Sequence, residues 1–149
     1  MRHFALSLLL LGFSAAAAAA DDPSSLLAKA GLAGKVEAHC SARFFATATR
    51  ATALAVQGKD GKAAYYMLAE GKASLLAAYL PGAELQCLSP AQVAERNRNI
   101  ADSGGILEGY IAPNGKLDVV CGFIDDTEAA CWGYDPKRKT VVSRGGWIT

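Results

Sequence analysis

The chain is poor in the residues that do chemistry. It has 149 residues and only two histidines, His3 and His39. It contains no G-x-S-x-G, H-E-x-x-H, Walker A or G-x-G-x-x-G pattern, so neither the common hydrolase nor the common nucleotide-binding signatures are present. No cofactor-binding pattern occurs, and none is expected to be needed. No two cysteines form a C-x-x-C pair, which argues against thioredoxin-like redox chemistry and, with so few histidines, against zinc. There is no Asn-x-Ser/Thr sequon. No apolar run beyond the N-terminus is long enough, and free enough of charge and turn residues, to cross a bilayer.

Charge of one sign is missing too. Lys plus Arg total 15 and Asp plus Glu 14. A nucleic-acid binder needs a basic surface to neutralise phosphates, so near-neutrality argues against one.

What is present begins with an export signal. Arg2 and His3 precede an apolar run, Phe4 to Phe13, then an alanine tract ending at Asp21 and Asp22. That is the charged, apolar and A-x-A sequence of a secretory leader, with Ala18 and Ala20 at the cleavage site. Residues 1–20 are expected to be a signal peptide and 21–149 a single exported domain in a periplasm or secreted. No cysteine lies near the cleavage site, so lipid attachment there is excluded.

Export changes the meaning of the four cysteines. Cys40, Cys87, Cys121 and Cys131 are an even number in an oxidising compartment and read as two disulfides. Four cysteines allow three pairings. A hairpin closed by Asp125-Asp126-Thr127 places Ile124 opposite Glu128 and Cys121 opposite Cys131, close enough to bridge at a non-hydrogen-bonded position. That leaves Cys40 for Cys87.

Along the chain the pattern predicts helices first. Asp22 caps a short helix with Pro23 in its first turn. Val36, Cys40, Phe44, Ala51 and Leu54 fall at helical spacing and predict a helix over 35–57. Gly58 to Gly61 is a turn, and a second helix is expected over 62–80, stopped by Pro81-Gly82. Cys87 sits in an extended linker, and Ser89-Pro90-Ala91-Gln92 opens a further capped helix to Ala101. After Asp102 to Gly105 the pattern turns to strands. Asn114-Gly115 predicts a hairpin joining 106–112 to 116–124, with Tyr110 facing Val119. The 121–131 hairpin and a last strand near 140–144 complete a meander. The expected fold is α+β: N-terminal helices over 21–102 (a helical hairpin plus the short capped helix) packed on a four-stranded antiparallel meander over 105–149.

Candidate functional residues follow from that meander. Trp132 and Tyr134 share one sheet face, with Lys137 and Arg138 in the next turn and Trp147 close in sequence. Tyr, Trp and Arg are enriched where proteins bind one another. These four, Trp132, Tyr134, Lys137 and Arg138, form the candidate binding surface. No catalytic residue and no metal ligand is assigned. The expected function is non-enzymatic binding of another exported or envelope protein, as an inhibitor or immunity-type protein does. One alternative is a small hydrolase or ligand-binding protein with a helix–sheet cleft, using His39 or the carboxylates of 125–128. Another is a structural envelope component that self-associates.

Overall fold

The computed structural model describes residues 21–47, 49–79 and 84–149. The expected leader, residues 1–20, lies outside them, as does the Pro81-Gly82 stop.

The described residues form two helices and nine strands: α1 (Pro23–Lys29), β1 (Lys35–Ala42), β2 (Ala51–Gln57), β3 (Ala63–Ala69), β4 (Lys72–Tyr79), β5 (Leu85–Leu88), α2 (Pro90–Ala101), β6 (Glu108–Ile111), β7 (Val119–Phe123), β8 (Glu128–Asp135) and β9 (Thr140–Ile148). The strands form two antiparallel sheets, one of order β1-β2-β3-β4 and one of order β5-β7-β8-β9-β6.

This overturns the expected helical hairpin. Residues 35–57 and 62–80 are not helices; they are the strand pairs β1–β2 and β3–β4. The physical reason is the alanines. Alanine has the highest helix propensity, but it is also small, and the first sheet uses that smallness on one face. Ala42, Ala51, Ala53, Ala55 and Ala63 point into the space between the sheets, beside the bulky Tyr65, Met67 and Trp132. The alternate positions, Leu54, Val56 and Leu68, point to the other face and pack on Leu27 of α1. That is the period of two of a strand buried on both sides.

The molecule is therefore layered: α1, first sheet, second sheet, α2. The helix α2 covers the outer face of the second sheet, where Val93 and Ile100 meet Val119, Cys121, Cys131 and Trp147. Both expected helix starts are present. Ser25 N donates to the Asp22 carboxylate at 3.2 Å, and Ser89 and Gln92 form a reciprocal capping box. Among the described residues no helix is long and apolar enough to cross a membrane.

Both disulfides form. Cys121 lies opposite Cys131 in the β7–β8 ladder, with Cα atoms 4.0 Å apart. The turn has the expected length, with Ile124 N donating to Glu128 O at 2.8 Å. Cys40 and Cys87 join β1 to β5, at 5.8 Å between Cα atoms, so this bridge ties the two sheets together rather than crossing a helix.

The second correction concerns β6. Asn114-Gly115 does not close a hairpin, and Tyr110 does not face Val119. β6 pairs with β9, placing Tyr110 opposite Gly146 and Gly109 opposite Trp147. Two strands, β8 and β9, separate β6 from β7. Glycine makes this pairing close. A side chain on Gly109 or Gly145 would strike backbone atoms of the other strand, and both residues have positive φ, 138° and 87°. The Asn114 side chain is instead turned inward, accepting a hydrogen bond from Arg144 Nη2.

Candidate functional site

Three turns converge at one end of the sandwich, and each is shaped by its own residues. The β1–β2 loop is pinned at its base by Asp118, which is 7 % exposed. Arg43 N donates to its carboxylate at 2.6 Å, and Asp118 N donates back to Arg43 O at 3.0 Å. Arg50 closes the other side, donating to Ser41 O at 2.7 Å and to Ser41 Oγ at 2.9 Å. Phe44 is wholly buried and anchors the loop, and Phe45 stands edge-on to it with ring centroids 5.2 Å apart.

The β3–β4 turn is two residues long, because Ala69 pairs with Lys72. Both turn residues, Glu70 and Gly71, have positive φ, 51° and 73°, as a tight right-twisted hairpin requires. The β8–β9 turn, 136–139, is held by Asp135, whose Oδ1 accepts from Lys137 N at 2.9 Å and from Arg138 N at 3.2 Å. These backbone donors hold the Asp135 carboxyl below its ordinary pKa, so it stays ionised and the cap stays made.

Between the turns is a cleft of about 630 Å³. Phe45 and Tyr134 form its aromatic floor, in edge contact at 5.0 Å. Lys72 enters from β4 and Lys139 from the β8–β9 turn. A smaller cavity of about 330 Å³ continues from it beside Leu75, Thr140 and Val141. Leu75 is 63 % exposed, on the free edge of the first sheet.

The sequence-derived residues divide around this cleft. Tyr134 lines it, and Lys137 and Arg138 stand exposed on the adjoining turn. Trp132 lies beneath, 8 % exposed, in the core between the sheets, with its ring 5.7 Å from that of Tyr65. Phe45 and Tyr134 pack against the cluster that contains it, so Trp132 underlies the cleft rather than lining it. Phe45, Lys72 and Lys139 complete the site and were absent from the sequence reading. The run Lys137-Arg138-Lys139 was visible as one basic turn; Phe45 and Lys72 were hidden inside the expected helices.

His39 is exposed on β1, opposite Leu54 on the neighbouring strand. The carboxylates of 125–128 lie at the tip of the β7–β8 turn. Asp125 Oδ1 is engaged locally, accepting from Thr127 N at 2.8 Å, Glu128 N at 2.7 Å and Thr127 Oγ1 at 3.1 Å. These bonds lower its pKa, the backbone donors most. Among the described residues no three His, Cys, Asp or Glu side chains are grouped to hold a metal.

The charges are sorted by position. The turns before and after β8 lie at opposite ends of that eight-residue strand, roughly 25 Å apart at strand rise. The turn before it carries Asp125 and Asp126, with Glu128 as the first residue of the strand; the turn after it carries Lys137, Arg138 and Lys139. A near-zero net charge thus includes opposite signs at the two ends of β8.

The chain matches no protein-family model, no curated protein and no solved structure.

Proposed function

We propose that this is an exported binding protein, of inhibitor or immunity type, that acts in a periplasm or outside the cell by engaging another exported protein through the cleft at its basic end. The two disulfides fit an oxidising compartment outside the cytoplasm. The observation that carries the reading is the meeting of Phe45 and Tyr134 with Lys72 and Lys139 in one cleft. Half-buried aromatic rings give contact area at low entropic cost, and a rim of cations gives orientation and encounter rate. The three turns around it are fixed by side-chain caps and tight geometry, so little order is lost when a partner docks.

The test is a pull-down from the organism's own envelope and secreted fractions with the oxidised, tagged protein. Lys72→Glu/Lys137→Glu reverses charge at the cleft, and Asp126→Lys alters the opposite end. A dominant partner retained by Asp126→Lys and lost by the cleft variant is the expected result. A partner held equally by both variants would place binding elsewhere, and no partner from any of the three proteins would remove the reading.

A further inference from the structure

The chemistry of the cleft specifies what enters it. Resting on the binding role above, we propose that the occupant is an extended acidic segment of another protein, carrying one apolar side chain that seats against Phe45 and Tyr134 while flanking carboxylates meet Lys72, Lys137, Arg138 and Lys139.

Sign comes first. Lys72, Lys137, Arg138 and Lys139 are all exposed around the cleft. Of the nearby carboxylates, Asp135 caps its own turn and pairs with Arg138 at 3.7 Å, and Glu70 stands on the rim, so the cations still outnumber the carboxylates there. The cations also stand on two elements. Lys72 approaches from the β3–β4 side, and the other three from the β8–β9 turn. A segment with charges before and after an apolar residue uses both sides and the rings between them, whereas a lone small anion would leave Phe45 and Tyr134 unused.

Shape comes second. The two rings are recessed, and the cleft continues along β4 into the smaller cavity beside Leu75. A concave, elongated site fits an extended chain. A lipid surface is flat and would need several projecting apolar side chains, whereas Phe45 and Tyr134 are half-buried and Leu75 is the exposed large apolar residue beside the cleft.

The protein's own acidic turn does not fill the site. It lies at the far end of β8, so it cannot reach its own cleft. Offered by a second copy, its Asp125-Asp126-Thr127-Glu128 tip has as its adjacent apolar residue Ile124, which is packed against its own core, and the Asp125 carboxylate is already bonded within its own turn.

The probe is a short fluorescent peptide of glutamates with one central phenylalanine, titrated against the full, oxidised protein and followed by anisotropy. Binding is expected, weakening as salt rises because the charges are exposed. Replacing the phenylalanine by glycine, or the glutamates by lysines, should each reduce affinity by about tenfold or more, as should Lys72→Glu/Lys137→Glu. Asp126→Lys should bind as the parent does. Near-ultraviolet circular dichroism of each variant separates lost binding from lost folding, and Phe45→Ser gives a second, uncharged lesion in the cleft. Equal binding of the glycine or lysine peptide would overturn the proposal. So would unchanged binding by the folded charge-reversal variant. Salt-sensitive self-association that Asp126→Lys abolishes would make the occupant a second copy and refute it. Binding to anionic phospholipid vesicles without binding to peptide would refute it in favour of a membrane. If the peptide fails while the pull-down still yields a cleft-dependent partner, the acidic-segment chemistry falls and the binding role stands.

Discussion

Tyr65 shows how much a single side chain holds in this protein. It is fully buried between the sheets, stacked on Tyr79 at 4.0 Å, and its ring lies against the backbone of Gly122. Its hydroxyl is 2.7 Å from Phe123 O and 3.1 Å from Glu84 O, so one phenol reaches β7 and the residue that leads into the neighbouring β5. Gly122 is small for Tyr65's sake: an added Cβ would lie 2.5 Å from the ring. Gly122→Ala is therefore expected to destabilise by about 1–3 kcal/mol, the ordinary cost of overpacking, measured by denaturant unfolding. A neutral change would mean that the two layers can part locally without cost.

The same pair carries a pH dependence. Burial raises the phenol pKa of Tyr65 and Tyr79 well above the ordinary value, with Glu37 adding to both; Tyr79 also donates to Glu37 at 3.1 Å. A phenol whose pKa is raised on folding stabilises the fold fully below its unfolded pKa of about 10 and loses that contribution as pH rises beyond it. Alkaline titration followed by tyrosinate absorbance should show that two of the five tyrosines ionise only with unfolding. The fall in stability above that pH should be shallower in Tyr79→Phe. All five titrating together in folded protein would contradict the packing.

At the scale of elements, the two disulfides do different work. Cys121–Cys131 spans one hairpin, with a separation of 10 residues, and Cys40–Cys87 joins the two sheets across 47. On the chain-entropy model they contribute about 3 and about 4 kcal/mol. Replacing Cys40 and Cys87 by serine should therefore lower stability more than replacing Cys121 and Cys131, and chemical reduction should lower it most. Melting that is identical with and without reductant would show that sheet packing alone holds the layers.

Which elements were legible in the sequence follows from what each turn and residue type encodes. The 121–131 hairpin could be placed because a short polar tip fixes the register and two cysteines confirm it. α2 could be placed because Ser89, Pro90 and Gln92 specify its start. β1 to β4 could not, because alanine satisfies a period of 3.6 as readily as a period of 2. The decisive signal was the Glu70-Gly71 turn, which sits in the middle of the expected second helix and lacks the usual Asn or Asp. The order of the second sheet was hidden for a different reason. Asn114-Gly115 has hairpin composition, but long-range pairing of β6 with the glycines of β9 prevails. At the site, Tyr134, Lys137 and Arg138 were readable because they lie in a strand and a turn read as such, whereas Phe45 and Lys72 entered the cleft only once the helices became sheets.

At the scale of the whole molecule, the layered arrangement separates stability from recognition. The three clusters of apolar side chains hold α1, the two sheets and α2 in register, and the turns at the ends are left to carry charge. On the proposed binding role, the opposite signs at the two ends of β8 would help orient the protein toward a charged partner before contact and make encounter sensitive to ionic strength. On the binding role proposed above, the basic end, with its aromatic cleft, is the end that would meet the partner.

Site-specific photo-crosslinking tests that claim most directly. A benzophenone amino acid placed at Lys137 reports on the basic end, and one placed at Asp126 reports on the acidic end, each in the full chain within the cells that produce it. A discrete adduct from position 137, absent from position 126 and lost when Lys72→Glu is added, is the result the account predicts. An adduct from position 126 alone, or none from position 137, would contradict it.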